Sequence, residues 1–261
     1  ELELTADQLA GLAITPAANY DGTFNLTITA TATEAENGDT AETSGSIAVT
    51  IDPVVDTTMT VSSSGGTEDT AIALSIGFND NGDTNESVSA VVVTVPAGAT
   101  LSAGTDNGDN TWTLTEAELS GLTITPPDDS GADMSVSVEA TVGEGAGSHT
   151  LNGSVTVDVI PDADAPNLSV TGTVSGNEDA AIPLSISSSL NDTDSSETLL
   201  ITLSDIPAGA TFTNTAGDTL TVSGGELELT ADQLAGLAIT PAANYDGTFN
   251  LTITATATEA E

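Results

Sequence analysis

Residues 24–33 read FNLTITATAT, with Phe24, Leu26, Ile28 and Ala30 alternating with Asn25, Thr27, Thr29 and Thr31. Apolar and polar residues in strict alternation are the period-2 signature of a half-buried strand. The pattern recurs along the chain at Ile47, Val49 and Ile51. It returns at Met134, Val136, Val138, Ala140 and Val142, and again at Val155, Val157 and Val159. Thr and Val dominate these runs, which suits a pleated surface. Gly, Asn, Asp, Ser and Pro separate them, as expected of turns. The fold class is therefore all-β.

The chain also repeats itself. Residues 1–36 and residues 226–261 are identical, so the two copies stand 225 residues apart. A diverged copy lies between them. GGTEDTAIALSI (Gly65 to Ile76) parallels SGNEDAAIPLSI (Ser175 to Ile186), and VPAGATL (Val95 to Leu101) parallels IPAGATF (Ile206 to Phe212). LTEAELSGLTITP (Leu114 to Pro126) parallels LTADQLAGLAITP (Leu229 to Pro241). These offsets give a unit of roughly 110 residues holding about seven strands, the size of an immunoglobulin-like sandwich. VTIDPVVD (Val49 to Asp56) and VTVDVIPD (Val155 to Asp162) each end a unit. The expected organisation is the C-terminal half of one repeat at residues 1–55 and a complete repeat at 56–165. A repeat at 166–261 would lack its last strand. The whole reads as tandem immunoglobulin-like, cadherin-like β-sandwich domains in a linear array, a window on a longer chain. A rival expectation has the half-domain completed by another copy.

Each unit should also carry one helical turn. Thr230 with Gln233, and Thr115 with Glu118, have the spacing of a capping box. Gly236 and Gly121 should stop the two turns.

Charge narrows the function. The 261 residues include 40 acids and no Lys or Arg, for a formal charge of −40. No side-chain salt bridge with Lys or Arg is available, and self-repulsion opposes compaction. Nucleic acid is excluded as a partner, since no Lys or Arg is present to neutralise phosphate. An anionic membrane surface is excluded likewise, and no apolar run reaches the length of a membrane span. The absence of cysteine removes disulfides, thiolate metal sites and thiol nucleophiles.

The acids cluster in three recurring places. The first is the pair Glu68-Asp69 and its counterpart Glu178-Asp179. The second is the loop NDNGDTNES (Asn79 to Ser87), with Asp80, Asp83 and Glu86, and its counterpart NDTDSSE (Asn191 to Glu197), with Asp192, Asp194 and Glu197. The third is the unit boundary, with Asp52 and Asp56 at one and Asp158, Asp162 and Asp164 at the other. Oxygen-rich loops without a basic neighbour suit Ca2+, a hard cation that takes six to eight oxygens. These acids are expected to converge at the boundary preceding each unit, so that calcium bridges neighbouring domains. Asp21, Asp128, Asp129 and Asp133 fall in other turns and read as plain turn residues. Trp112, Tyr20 and Phe24 read as packing residues. His149, the only histidine, reads as an exposed loop residue in GEGAGSHT. Nothing assembles a nucleophile, its base and an oxyanion site, so no enzyme is expected.

The motifs GNEDAAIPLSI, DTDSSETLLITLSDIPAGATF, LTADQLAGLAITPAANYDGTFNLTITATAT and PDADAP together resemble the extender repeats of large bacterial RTX-type adhesins. The resemblance spans essentially the whole chain. It implies secretion, retention at the bacterial surface and a spacer role, with neighbouring repeats of the same chain as partners. It also implies calcium at the junctions. Carried onto this sequence, the ligands are Glu178, Asp179, Asp192, Asp194 and Glu197 with Asp162 and Asp164. In the other unit they are Glu68, Asp69, Asp80, Asp83 and Glu86 with Asp52 and Asp56. The loop departs from the family's DxDGSE pattern, because Ser195 replaces the glycine. The family's Asp-Ala-Pro junction stands at Asp164-Ala165-Pro166 and is altered to Asp56-Thr57-Thr58 at the other boundary.

Overall fold

The computed structural model describes residues 1–192 and 196–259. Among these residues the regular structure is strand, with three single turns of 3-10 helix and no α-helix. Among the described residues no helix is long and apolar enough to cross a membrane.

The first segment is a 3-10 turn, Ala6–Leu9, and one long hairpin. Its strands β1 (Gly22–Thr33) and β2 (Thr40–Ile51) pair antiparallel from Gly22↔Ile51 to Thr33↔Thr40. The alternation seen in sequence is present as strand, yet the apolar phase is largely uncovered: Ile28 and Ile47 are both exposed.

The second segment begins with β3 (Thr58–Ser63), β4 (Gly66–Thr67), β5 (Ile72–Asn79) and β6 (Ser87–Thr94). It continues through β7 (Thr100–Leu101), β8 (Thr105–Asp106), β9 (Thr111–Leu114) and β10 (Thr123–Thr125). It ends with β11 (Met134–Glu144), β12 (Gly147–Val157) and β13 (Val159–Ile160). One sheet has the order β3-β5-β10-β7 and another β12-β11-β6-β9-β8, while β13 pairs parallel with β4. The two larger sheets share one core. Ile72, Leu74 and Ile124 come from the first sheet, and Val91, Val93, Leu114, Val136 and Val138 from the second. This arrangement is consistent with a β-sandwich. Each such side chain contributes about 1.5–3 kcal/mol when fully buried. The inward phase of β11 runs unbroken from Met134 to Glu144.

The third segment comprises β14 (Asn167–Val170), β15 (Ile182–Pro183), β16 (Ile186–Ser189), β17 (Glu197–Ser204), β18 (Thr211–Thr213), β19 (Leu227–Leu229), β20 (Ala238–Thr240) and β21 (Thr252–Glu259). Its sheets are β14-β16, β15-β20-β18 and β19-β17-β21. A separate core gathers Ile201, Leu203, Phe212, Leu227, Leu229, Leu237 and Ile239. Here β21 is an edge strand, whereas its counterpart β11 lies between β12 and β6.

The expected helical turns are present as Glu116–Leu119 and Ala231–Leu234. Their capping boxes are closed by the Thr115 amide donating to Glu118 Oε2 at 2.8 Å and the Thr230 amide donating to Gln233 Oε1 at 3.0 Å. Gly121 and Gly236 follow in the left-handed region, at φ 72° and 65°, where a Cβ would be strained.

Two local expectations change. The second segment holds eleven strand pieces (β3 to β13) in place of about seven, because four of them are two-residue stretches between turns. His149 lies in β12, opposite Val142, because β11 and β12 are joined by a tight hairpin turn. Trp112 packs half-buried against the core, on β9, in the packing role expected of it.

Candidate metal centres

The strand pattern itself delivers two carboxylates, each to the end of a long strand. In β11 the buried phase is Met134, Val136, Val138, Ala140, Val142 and then Glu144, which is only 3% exposed. In β21 the inward phase ends in the same way at Glu259. Both Glu144 Oε2 and Glu259 Oε2 are buried and receive no hydrogen bond, and Glu197 Oε2 shares that condition. An ionised carboxylate without a donor is costly to bury, so each such oxygen calls for a cation or a proton. No Lys or Arg is present to serve.

Around Glu144, three parts of the chain meet. Asp83, Glu86 and Glu144 offer oxygens within 4.8 Å of one another. The loop before β6 is wound by its own acids: the Gly82 amide donates to Asp80 Oδ1 at 3.0 Å and the Asn85 amide to Asp83 Oδ1 at 3.0 Å. Asp80 is spent on this turn and stays exposed. The linker closes over the loop. The Asp56 amide donates to Glu86 Oε1 at 2.5 Å and the Thr57 amide to Glu86 Oε2 at 3.0 Å, with the Thr57 hydroxyl on the same oxygen. The Asn81 side chain donates to the Asp56 carbonyl at 2.9 Å, and the Val54 amide donates to Glu144. From the first segment, Asp21 Oδ1 accepts a hydrogen bond from Asn85 at 3.1 Å.

The next boundary repeats the plan. The Asp164 amide donates to Glu197 Oε1 at 2.7 Å, as Asp56 does to Glu86. The Asn191 side chain donates to the Ala165 carbonyl at 3.2 Å, much as Asn81 does to Asp56. Glu68, Asp192 and Glu259 form one cluster and Asp69, Asp129 and Asp164 another, each within 4.8 Å. Glu68 is 4% exposed, and its Oε1 accepts the Asp162 amide at 2.6 Å.

Like charge and burial leave their mark on acidity. Burial holds the Glu68, Glu144 and Glu197 carboxyls above the ordinary glutamate range. Neighbouring carboxylates push the same way: Glu259, Asp69 and Asp192 on Glu68; Asp83, Asp21 and Glu86 on Glu144; Asp192, Glu259 and Asp164 on Glu197.

The grouping of acids differs from the one expected. Glu68 and Asp69 do not join Asp52, Asp56, Asp80, Asp83 and Glu86 at the boundary before their unit; they stand at the boundary after it. The cause is the parallel pairing of β4 with β13, which fixes Glu68, one residue past β4, beside the linker that leaves the unit. The Glu68 amide even donates to the Ile160 carbonyl, at 3.1 Å. Glu178 and Asp179 occupy the counterpart place in the third segment, exposed, with the Asn244 amide on Asp179 Oδ1 at 3.0 Å. Asp52 and Asp158 are exposed and join none of the three clusters. Asp194 lies outside the described residues.

Four clustered or adjacent acids escape a reading of the loops alone. Glu144 and Glu259 carry a legible signal, an acid on the inward phase of an apolar strand. Asp21 and Asp129 carry none, since turns place them at the boundary only once the sheets are packed. Asp133 serves the backbone, where its Oδ1 accepts the Val159 amide at 3.1 Å.

The donor set is oxygen only, from clustered carboxylates of which Glu68, Asp83, Glu144 and Asp192 are buried. That chemistry fits a hard divalent cation such as Ca2+ and gives nothing to a metal that prefers nitrogen or sulfur.

No family model matches this chain, and no curated protein matches it. Among solved structures it is similar to Salmonella alpha-2-macroglobulin reacted with methylamine, at 11% identity and a TM-score of 0.25. The match covers 93% of this chain, which spans 17% of that protein's length. A likeness this weak carries no argument about the fold or the site.

Proposed function

We propose that this chain is a spacer segment of a secreted bacterial surface adhesin, built of tandem immunoglobulin-like β-sandwiches and stiffened by calcium at their junctions. One observation carries the reading: the two boundaries hold matching carboxylates, half-buried Glu86 with buried Glu144 and buried Glu197 with half-buried Glu259, and a linker amide donates to Glu86 at one and to Glu197 at the other. Ions there would be held by Asp83, Glu86 and Glu144 at the first boundary. At the second they would be held by Glu68, Asp192 and Glu259, with Asp69, Asp129 and Asp164 beside them. Bound calcium would cancel like charge and tie the linker to both neighbours, stabilising the folded array by mass action.

Trp112, the side chain that a sugar-binding role would need, is packed against the core. The near-repetition of whole units favours a role in which length counts for more than any one surface.

Thermal unfolding with calcium and then with excess chelator, run beside small-angle scattering, tests the spacer reading. A large fall in Tm with a change from rod to flexible chain is expected. An unchanged melting curve and an unchanged scattering profile would overturn it.

A further inference from the structure

Glu86 and Glu197 hold matching places where the acidic loop enters β6 and β17. Each takes a linker amide on Oε1, that of Asp56 at 2.5 Å and that of Asp164 at 2.7 Å. Their second oxygens differ. Glu86 Oε2 accepts the Thr57 amide at 3.0 Å and the Thr57 hydroxyl as well. Glu197 is 6% exposed, and its Oε2 is buried and accepts from no described residue. One linker residue makes the difference. Thr57 is buried against its glutamate, whereas its counterpart Ala165 has no hydroxyl and is exposed.

A carboxylate has about four acceptor positions, two on each oxygen. The linker occupies three of them on Glu86. Glu197 keeps both positions of Oε2 open. Its carboxylate stands among acids of both clusters at the second boundary: Asp192 and Glu259 of one and Asp164 of the other act on its charge. The amides on Oε1 orient the carboxylate at both boundaries. The Thr57 hydroxyl therefore adds competition for an oxygen more than it adds order.

We propose, building on the calcium reading above, that Thr57 and Ala165 set the calcium affinities of the two boundaries apart. Thr57 withdraws Glu86 Oε2 from the donor set, and Ala165 leaves Glu197 Oε2 to the ion. The affinity of an oxygen site follows its ligand charge and count. At the second boundary the ion gains an oxygen that has no competing donor, and binding relieves the cost of burying that oxygen. At the first boundary the Thr57 donors already meet the equivalent oxygen before any ion arrives. The second boundary therefore fills at the lower calcium concentration, and the two boundaries stiffen in two steps.

Calorimetric titration of calcium into the chelator-stripped 261-residue chain tests this. Two affinity classes are expected, the tighter weakened by Glu197→Gln and the looser by Glu144→Gln. Thr57→Ala should tighten the looser class about tenfold. The same substitution should lower Tm in chelator, because a buried hydroxyl bond to a carboxylate is lost. Thr57→Ser keeps the hydroxyl and should leave both classes as they are. Ala165 is exposed, so Ala165→Thr alters the second boundary without disturbing a core; it should weaken the tighter class about tenfold. A single affinity class, or affinities that Thr57→Ala and Ala165→Thr leave unchanged or move the other way, overturns this inference and leaves the calcium reading standing. A chain that takes up no calcium overturns both.

Discussion

Glu144 and Glu259 hold the same place in the second and third segments. Each is the last inward residue of the long strand, and each keeps one carboxylate oxygen buried without a donor. An apolar strand ending in a buried acid is unfavourable unless something positive meets it, and no Lys or Arg in this chain can.

Glu144→Gln should therefore act with opposite signs in two conditions. With calcium present, the loss of one charged ligand from the Asp83, Glu86 and Glu144 group should weaken binding at that boundary at least tenfold by calorimetric titration. With chelator present, the neutral amide should leave Tm unchanged or higher, because the surroundings of Glu144 disfavour its charged form.

The acidity of Glu68, Glu144 and Glu197 predicts the pH dependence of the chelated protein. Their folded-state pKa values are raised above the ordinary 4.5, so the folded form holds protons that the unfolded form has released. Stability from these groups is fully present below 4.5 and is lost as pH rises through the raised values. Chelated protein should unfold at a higher denaturant concentration at about pH 5 than at about pH 7. Calcium should abolish or reverse that trend, because it binds the deprotonated carboxylates.

Gly131→Ala tests the seat of the linker. The new Cβ would meet Pro161 at 2.5 Å, one residue before the amide that bonds Glu68. Overpacking of this kind costs about 1–3 kcal/mol. Denaturant unfolding of the second segment should register it, and calcium affinity at the second boundary should fall with it.

Leu237→Ala and Leu12→Ala change the same residue of the same repeated stretch. Leu237 is 0% exposed and Leu12 is 56% exposed. The first should cost about 2–5 kcal/mol, the range for emptying a core leucine. The second should leave the unfolding curve of a dilute sample unchanged.

Much of the fold is legible in the sequence because strand periodicity is local. Phe24 to Thr33 declares its strand without help from the rest of the chain, and Thr230 with Gln233 declares its turn. The candidate site is legible in part. Asp83, Glu86 and Glu197 stand out by loop composition. Glu144 and Glu259 can be found by following the strand phase to its last residue. Asp21 and Asp129 offer no such handle.

The sequence by itself determined an all-β chain, its repeat of identical and diverged copies, and a charge that only external cations can offset. Those are properties of neighbouring residues and of composition. The tertiary structure alone decided which acids share a boundary. Glu68 meets Asp192 and Glu259 instead of Asp83 and Glu86 because β4 pairs in parallel with β13, a strand far along the chain.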